Sequence, residues 1–314
     1  MRLDVTISIV NTDNRRLLKD CLSSLPAGSE GLETEVFVVD NASTDGSAEM
    51  VAREFPGVQV MRNAIRGGFT ANHNQVLRHA PGRYALILNE DTVVRPGAID
   101  VLVRFMDGRP DAGACGPQLL NPDGSLQPSG EPFPTCTSAL LSELTRYRWD
   151  RRKYFWRGRD FGAVTRVPAV SGACLMVRRE TLDAVGLLDE GFFFYYDDLD
   201  LCRRIARAGW HVYYVPQARV MHYWGATRAG HLPMVLREGR RSQLYFFAKH
   251  YGPQRLVLLK LILGLSDLGE LVRWAVAYTL GARDRRAARE RLALRWEILR
   301  MTLGYPGAGG SGPR

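Results

Sequence analysis

Short apolar runs alternate with segments of helical periodicity through the first third of the chain, and this alternation constrains the fold more than any other feature. The last predicted helix in this part of the chain begins at Pro96, and proline is favoured in the first turn of a helix. Strand–helix repetition predicts βαβ units, and therefore an α/β fold with a mostly parallel central sheet and helices on both faces. The predicted strands are Val5–Val10, Glu35–Asp40, Val58–Arg62 and Tyr84–Asn89, and the earlier predicted helices are Asn14–Leu25, Gly46–Phe55 and Asn72–His79.

Polar residues stand where these predicted strands end. Asp40 and Asn63 each follow a strand, and Asn89, Glu90 and Asp91 follow another. Ligands of parallel α/β sheets bind beyond the carboxyl ends of the strands, so these residues are candidates for a binding site. Carboxylates clustered after an apolar strand need neutralisation, and a divalent cation that holds a diphosphate provides it through oxygen ligands. A solvated turn or a helix cap is the alternative.

A second acidic cluster stands at the start of a predicted helix, Asp198–Gly209. Five consecutive aromatic residues precede it, in the stretch GFFFYYDDLDLCRR. Aromatic side chains can line a dry pocket, and a carboxylate that faces such a pocket can take a proton from a sugar hydroxyl. Helix capping by these carboxylates is the alternative. His222 follows the last predicted strand and is a candidate metal ligand, with a packed or surface histidine as the alternative.

The middle of the chain interrupts the strand–helix rhythm. Residues Leu120–Phe161 contain several prolines and a basic, aromatic stretch, and we predict a long excursion with one helix near Ser138–Tyr147. Excursions of this length often form a lid or an acceptor site. RNA binding through the basic stretch is the alternative, although no known RNA-binding module is recognisable. Strands are predicted to follow at Val167–Arg178, Trp210–Val215 and Arg219–His222.

The formal net charge of +9 resides in residues 233–314, which hold 15 Lys or Arg against 6 Asp or Glu, while the rest of the chain holds 27 of each. A body of zero net charge argues against a nucleic-acid partner, and a basic C-terminal region suits an anionic surface. Two amphipathic segments, Arg255–Gly281 and Arg283–Leu303, predict peripheral membrane contact, and the uncharged runs of the first are too short to span a bilayer. Packing on the body or a homodimer contact is the alternative. The first segment is expected to gather its charges on one polar face: Lys260, Asp267, Glu270 and Arg273.

The N-terminus lacks the apolar core of a signal peptide, and the five cysteines include no C-x-x-C pair. These features predict a reducing compartment without a structural zinc site. Together with the basic C-terminal region, they predict a cytoplasmic protein at the inner face of the cell membrane. The expected domains are residues 1–232, a helical region at 233–303 and a disordered tail at 304–314.

These segments, taken in order, resemble the family 2 inverting glycosyltransferases of GT-A fold over about Val5–Tyr251. The resemblance is carried by ISIVNTDN, VVDNASTDGS, RNAIRGGFTANHNQ and LNEDTVV. The later stretches VSGACLMVRRE, VGLLDEGFFFYYDDLDLCRRIARAGW and YYVPQARVMHYWGATR resemble especially the bacterial rhamnosyltransferase-like branch. The chain departs from the family pattern at three places: Asn11-Thr12-Asp13 replaces T/N-Y-N, Asn89 replaces an acidic residue, and Asp197-Asp198 replaces Glu-Asp.

The resemblance implies transfer of a sugar from a nucleotide diphosphate sugar to an acceptor hydroxyl with inversion. It implies that Asp198 is the general base and that Asp91 and His222 hold Mg²⁺ or Mn²⁺. The residues implied to bind the nucleotide sugar are Asn11, Thr12, Asp40, Arg66, Asn89, Asp91 and Arg228. The residues implied to line the donor and acceptor pocket are Gly172, Ala173, Asp197 and Trp224.

The same resemblance implies dTDP-L-rhamnose as donor, and the basic C-terminal region suggests a lipid-linked cell-envelope glycan as acceptor. A non-catalytic sugar-nucleotide-binding or membrane-scaffold protein of the same fold is the alternative. A nucleotidyltransferase is disfavoured because Val10–Arg16 lacks the Gly-rich loop that such enzymes carry near the N-terminus.

Overall fold

The computed structural model describes residues 3–145, 150–223, 232–280 and 285–306. The chain forms two compact units. The first unit is built from the segments 1–133, 152–193 and 197–229, and the second from 134–151, 194–196 and 230–314. The second unit therefore takes in parts of the central excursion and of the aromatic stretch as well as the C-terminal region.

A ten-stranded sheet forms the centre of the first unit. Six strands (β1, β2, β3, β4, β6 and β12) run in one direction, which confirms the predicted α/β fold with a mostly parallel sheet. The order along the sheet is β3-β2-β1-β4-β11-β6-β12-β5, with β7 paired to β6 and β9 to β12. The strands are β1 (Val5–Asn11), β2 (Thr34–Asp40), β3 (Val58–Arg62), β4 (Tyr84–Asn89), β5 (Thr92–Val94), β6 (Ala112–Leu120), β7 (Leu126–Gln127), β9 (Thr165–Val167), β11 (Cys174–Arg178) and β12 (His211–His222). A separate pair joins β8 (Gly130–Glu131) to β10 (Ala169–Val170).

Helices cover both faces of the sheet because its strands bury apolar residues on both sides. On one face Val38 packs in the core with the apolar side of α1, and on the other Val39 packs with Val76 of α3. The helices that accompany the sheet are α1 (Arg15–Gly28), α2 (Ser47–Glu54), α3 (Phe69–Leu77), α4 (Ala98–Asp107), α6 (Arg151–Trp156), α7 (Arg179–Val185) and α8 (Asp197–Arg207).

Three predicted boundaries are wrong. Helix α4 begins at Ala98, after the left-handed Gly97 (φ 70°), so Pro96 precedes the helix and does not open it. The predicted strand Val167–Arg178 is three short strands, because Pro168 has no N–H to donate and residues 171–173 turn away from the sheet. The two strands predicted around residues 210–222 are one strand, β12, with a register irregularity between Val215 and Arg219.

The second unit is helical. Helix α10 (Pro253–Thr279) packs against α5 (Cys136–Leu144), α9 (Leu232–Tyr251) and α11 (Arg285–Gly304). It begins after Gly252 with proline in its first turn. None of the helices in the described ranges has the length and apolar character needed to cross a bilayer.

Part of the charged side of α10 faces the interior of the unit. Asp267 is only 1% exposed and accepts hydrogen bonds from Arg240 of α9 and Arg295 of α11. Lys260 also turns inward, and its ammonium donates to the carbonyl of Tyr305. The side of α10 that carries Asp267 and Lys260 therefore packs inside the unit, while Arg273 is exposed and a row of aliphatic residues lies outside. We name this set the outer row of α10: Val257, Leu258, Leu261, Leu265, Leu268, Val272 and Val276.

Candidate active site

The parallel strands β1, β2 and β4 end side by side in polar residues. Asn11 is in register with Asp40, and the neighbouring Val10 is in register with Asn89. Four buried side-chain oxygens at this edge have no hydrogen-bond partner within the described chain, namely Oδ1 of Asn11, Asp40, Asn89 and Asp91. A buried polar atom without a partner costs about 1–3 kcal/mol, so four at one edge mark a place built for a polar ligand.

The loops after β1, β2 and β3 are tied together by Asn41, which sequence reasoning missed. Its amide nitrogen donates to Thr12 Oγ1 over 3.1 Å and to the carbonyl of Gly67 over 3.2 Å, and its Oδ1 accepts from the Gly67 N–H over 2.7 Å. Asn11 joins the same loops by donating to Ser43 Oγ over 3.1 Å. The only sequence signal for Asn41 was its position directly after the strand-end Asp40.

Arg66, an expected nucleotide contact, forms an ion pair with Asp13. The backbone N–H of Thr44 also donates to Asp13 Oδ1 over 2.6 Å. This hydrogen bond and the Arg66 guanidinium hold the pKa of the Asp13 carboxyl below its ordinary value, so the pair is ionic at neutral pH. Asp13 adopts a left-handed backbone conformation (φ 53°), which aspartate tolerates better than most residues. The departure from the family pattern at position 13 therefore pairs with Arg66 in this structure.

Strand pairing brings His222 to Asp91. Strand β12 runs antiparallel to β5 with His222 opposite Thr92, and the Tyr223 N–H donates to the carbonyl of Asp91 over 2.9 Å. Both side chains are buried, and Nε2 of His222 lies 3.3 Å from Oδ1 of Asp91 without the geometry of a hydrogen bond. The other ring nitrogen, Nδ1, lies 2.6 Å from Oε1 of Gln127.

This pair is the part of the site that can hold a cation. Among the described residues no group of three or more His, Cys, Asp or Glu side chains is arranged as a metal site. One carboxylate and one imidazole are both ligands that divalent metals accept, and the unpartnered oxygen of Asp91 suits that use. The residues present therefore fit a divalent cation that takes its remaining ligands from a bound anion or water, as Mg²⁺ commonly does with phosphates.

Glu90 precedes Asp91 in the chain, and its carboxyl has a different hydrogen-bond partner. Its Oε1 accepts a hydrogen bond of 2.8 Å from Asn14 Nδ2. Burial, and secondarily the neighbouring Asp91 carboxylate, raises the pKa of Glu90 to about 7. The acidic cluster predicted from the sequence is thus present, and its two members differ in their surroundings.

Asp198 lies at the start of α8, where two backbone N–H groups hold its carboxylate. Gly172 donates to Oδ2 over 2.9 Å, and Leu199 donates to Oδ1 over 2.8 Å. Burial, and secondarily the carboxylate of Glu131, raises the pKa of Asp198 to about 6 against the effect of these donors. The pKa of the adjoining Asp197 is also raised, mainly by burial and then by Asp198. The carboxyl of Asp198 can therefore exchange a proton close to neutral pH.

The turn at Gly172 and Ala173 connects the two halves of the site. The Asn89 N–H at the end of β4 donates to the carbonyl of Ala173 over 3.0 Å, and the Gly172 N–H donates to Asp198. The predicted pocket residues therefore bridge the strand-end oxygens and the predicted base. The backbone just before α8 is strained, since Tyr195 and Tyr196 both have left-handed conformations (φ 67° and 66°). Such strain is common at functional sites.

Glu131 is a second residue that the sequence did not reveal. It is buried on β8, which pairs with β10, and Arg152 Nε lies 3.8 Å from its Oε2. Glu131 has no acidic neighbour in the proline-rich excursion, so neither a periodic pattern nor a cluster of carboxylates indicated a role for it. Trp224 and Arg228, both expected in the site, lie outside the described residues.

The family model described as glycosyltransferase like family 2 matches residues 2–243. The chain belongs to glycosyltransferase family 2. The N-acetylglucosaminyl-diphospho-decaprenol L-rhamnosyltransferase of Mycobacterium tuberculosis is 30% identical over 233 residues, which are 68% of this chain and 76% of the relative. Rhamnosyltransferase WbbL of Escherichia coli K12 is 24% identical over 70% of this chain and 83% of its own length. The rhamnosyltransferase branch predicted from the sequence is therefore confirmed.

The crystal structure of GalNAc-T7 with UDP, GalNAc and Mn²⁺ superimposes with a TM-score of 0.55 at 17% identity. The match covers 79% of this chain and 51% of that one. At this identity the likeness shows the fold alone, which is the GT-A architecture expected for glycosyltransferase family 2.

Proposed function

We propose that this family 2 glycosyltransferase moves L-rhamnose from dTDP-L-rhamnose to a hydroxyl of a lipid-linked cell-envelope glycan. The relative from Mycobacterium tuberculosis supports the sugar and the class of acceptor, because its name specifies both. The observation that carries the proposal is the turn at Gly172–Ala173, which hydrogen-bonds to Asn89 at the strand ends and to the carboxylate of Asp198. A donor site and a proton acceptor thus share one short segment of backbone.

Asp198 is proposed to act as the general base. An acceptor hydroxyl is a weak nucleophile, and a carboxylate that removes its proton during attack speeds transfer by about 10²–10⁴-fold. The N–H groups of Gly172 and Leu199 fix the direction of the carboxylate. A single displacement by the hydroxyl, with no protein nucleophile intervening, gives inversion at the sugar carbon.

The strand ends are proposed to bind the nucleotide sugar. The unpartnered oxygens of Asn11 and Asp40 suit the N–H and O–H donors of a base and ribose, and Arg66 supplies a cation for phosphate oxygens. Thr12 is held beside them by Asn41. Arg228 and Trp224 lie outside the described residues. Their proposed roles, at the diphosphate and in the pocket, rest on the family resemblance.

Asp91 and His222 would hold Mg²⁺ or Mn²⁺. A divalent cation there supplies charge stabilisation for the nucleotide diphosphate as it leaves. Mn²⁺ in the GalNAc-T7 crystal structure supports divalent metal use in this fold. The two side chains would supply one carboxylate oxygen and one imidazole nitrogen as ligands, and these two atoms lie 3.3 Å apart.

A panel of nucleotide sugars tests the donor. Binding to the folded state raises the unfolding temperature, so dTDP-L-rhamnose with Mn²⁺ is expected to stabilise the protein more than UDP- or GDP-sugars do. Asp40→Asn is expected to reduce this stabilisation, whereas the exposed Asp183→Asn leaves it unchanged. Equal stabilisation by every nucleotide would contradict the donor assignment. Absence of sugar transfer despite tight binding would favour the alternative, a non-catalytic sugar-nucleotide-binding protein.

We also propose that the second unit rests on an anionic membrane through the outer row of α10. Leu265 is 70% exposed, and the row is entirely aliphatic, whereas protein interfaces are enriched in aromatic residues, Met and Arg. Arg273 is exposed, is paired with Glu270, and stands three residues before Val276 of this row, and the guanidiniums of Arg273 and Arg291 lie 4.6 and 4.5 Å from the ring centroid of Trp274. An apolar row bordered by cations suits acyl chains beneath anionic headgroups.

Sedimentation with vesicles tests this contact. The protein is expected to pellet with vesicles that contain phosphatidylglycerol and less with phosphatidylcholine alone. Leu265→Glu is expected to abolish pelleting, while Ala293→Glu, an exposed control on α11, lowers it only slightly. Undiminished pelleting of Leu265→Glu would contradict the proposal. A different result would also contradict it: the wild type is a dimer, Leu265→Glu is a monomer, and neither binds vesicles. The outer row would then join two copies of the chain.

A further inference from the structure

A tight hairpin outside the predicted site packs against His222. Strand β7 (Leu126–Gln127) returns antiparallel to the end of β6, with Gln127 in register with Leu119. The turn between them, NPDGS, is held by the Asn121 N–H to Ser125 carbonyl bond of 2.8 Å. It is also held by the Ser125 N–H donating to Asp123 Oδ1 over 2.9 Å. This local bonding gives Gln127 a fixed position.

The amide of Gln127 has a defined orientation, because its neighbour Asn121 is itself oriented. Asn121 Nδ2 donates to Ser125 Oγ over 2.9 Å, which leaves Asn121 Oδ1 as an acceptor. Gln127 Nε2 donates to that oxygen over 2.9 Å. The remaining atom of the Gln127 amide, Oε1, therefore faces Nδ1 of His222 at 2.6 Å.

An amide oxygen can only accept, so Nδ1 of His222 must carry the proton. In a neutral imidazole the other nitrogen is then a lone-pair acceptor. That nitrogen, Nε2, faces Oδ1 of Asp91 at 3.3 Å, and the contact lacks hydrogen-bond geometry. Two buried acceptors that face one another define a place for a cation.

We propose that Gln127 is a positioning residue that fixes the Nδ1–H tautomer of His222 and so directs Nε2, together with Asp91, at a divalent cation. The inference rests on the metal site of the proposed function and assigns a role to a residue outside it. Loss of such an outer partner of a metal-binding histidine typically weakens metal affinity by about 10–100-fold.

The first test reads the tautomer in metal-free protein by ¹⁵N NMR of the imidazole ring, with His222→Ala to assign the signal. The wild-type protein is expected to show protonated Nδ1 and unprotonated Nε2. Gln127→Leu removes the acceptor at similar volume and is expected to abolish this preference. Gln127→Glu keeps an acceptor and is expected to retain it. A wild-type ring protonated at Nε2 alone would overturn the inference.

The second test measures Mn²⁺ affinity by calorimetry, with Mn²⁺ alone and with Mn²⁺ plus dTDP. Gln127→Leu is expected to bind about 10–100-fold more weakly and Gln127→Glu close to wild type. Gln59→Leu, on the exposed edge strand β3, is the control and is expected to match wild type. Equal Mn²⁺ affinity of wild type and folded Gln127→Leu would overturn the inference. If wild type binds no Mn²⁺ while Nδ1 is protonated, the metal part of the proposed function fails and the tautomer assignment stands.

Discussion

The backbone N–H of Gly172 lies 2.9 Å from Oδ2 of Asp198 and donates a hydrogen bond to it, although the two residues are 26 positions apart. Gly172 belongs to the turn between β10 and β11, and Asp198 to the first turn of α8. A Cβ at position 172 would lie 3.4 Å from Cβ of Asp198, which is an ordinary van der Waals contact, so the hydrogen bond does not depend on glycine at this position. The carboxylate proposed as base is therefore oriented by main chain, which cannot change rotamer.

Asp198→Asn is expected to lower kcat by about 10²–10⁴-fold, because an amide cannot take the proton of the acceptor hydroxyl. Binding of the nucleotide sugar should remain nearly intact, since the strand-end residues are unchanged. A coupled assay for released nucleotide diphosphate and a thermal-shift titration measure the two effects. Asp20→Asn, at an exposed position of α1, is the control. Near-normal turnover of Asp198→Asn would show that another group is the base.

The pH dependence of kcat/KM should report the carboxyl of Asp198. A base works only when ionised, so kcat/KM is expected to rise with pH through a midpoint of about 6, the pKa to which burial and Glu131 raise this group, and to level off above that midpoint. Glu131→Gln removes a negative charge that raises this pKa, so the midpoint should move to lower pH. An exposed control, Glu33→Gln, should leave it in place. A midpoint that moves to higher pH in Glu131→Gln would contradict the assignment.

His222→Ala is expected to raise the Mn²⁺ concentration that gives half-maximal transfer, because one of two protein ligands is lost. Metal titrations of initial rate provide the measurement, with the exposed His79→Ala as control. An unchanged titration of His222→Ala would exclude this histidine as a ligand.

Asp267→Ala is expected to destabilise the second unit by about 3–5 kcal/mol, because it leaves the buried guanidinium of Arg240 and the half-buried guanidinium of Arg295 without their shared carboxylate. Urea denaturation followed by circular dichroism measures the loss. The combination of Asp267→Leu, Arg240→Met and Arg295→Met should recover most of it, since a packed apolar replacement of a buried ion pair is often neutral. A single variant as stable as wild type would mean that water reaches the two arginines.

The sequence predicted those parts of the molecule whose physics is local or periodic. The strands β1, β2 and β4, and the polar residues at their ends, follow from apolar runs bounded by Asp40 and Asn89. The partnership of Asp91 and His222 came from the family resemblance, and the antiparallel pairing of β12 with β5 places them together. Asn41, Gln127 and Glu131 stayed hidden, because each acts through a contact distant in sequence and none forms a pattern of its own.

Helix α10 shows a different limit. Lys260 and Asp267 face the interior, whereas Arg273 is exposed. Amphipathic periodicity is the same whether the charged side of a helix faces water or the interior. The positions of Arg240 and Arg295 decide which side of α10 faces inward, because they give Asp267 ionic partners inside the unit. Those arginines belong to other helices, so no window along α10 contains the information.

The reversed placement of α10 inverts the usual relation between exposure and tolerance to substitution. On an ordinary surface helix the outward positions accept almost any polar residue. Under the proposed membrane contact, leucine and valine along the outer row should exchange freely while a single carboxylate should impair the protein in the cell, so these positions would behave as interior ones in a survey of variants. On that proposal, the outward side of the helix is a second apolar core, which lipid completes.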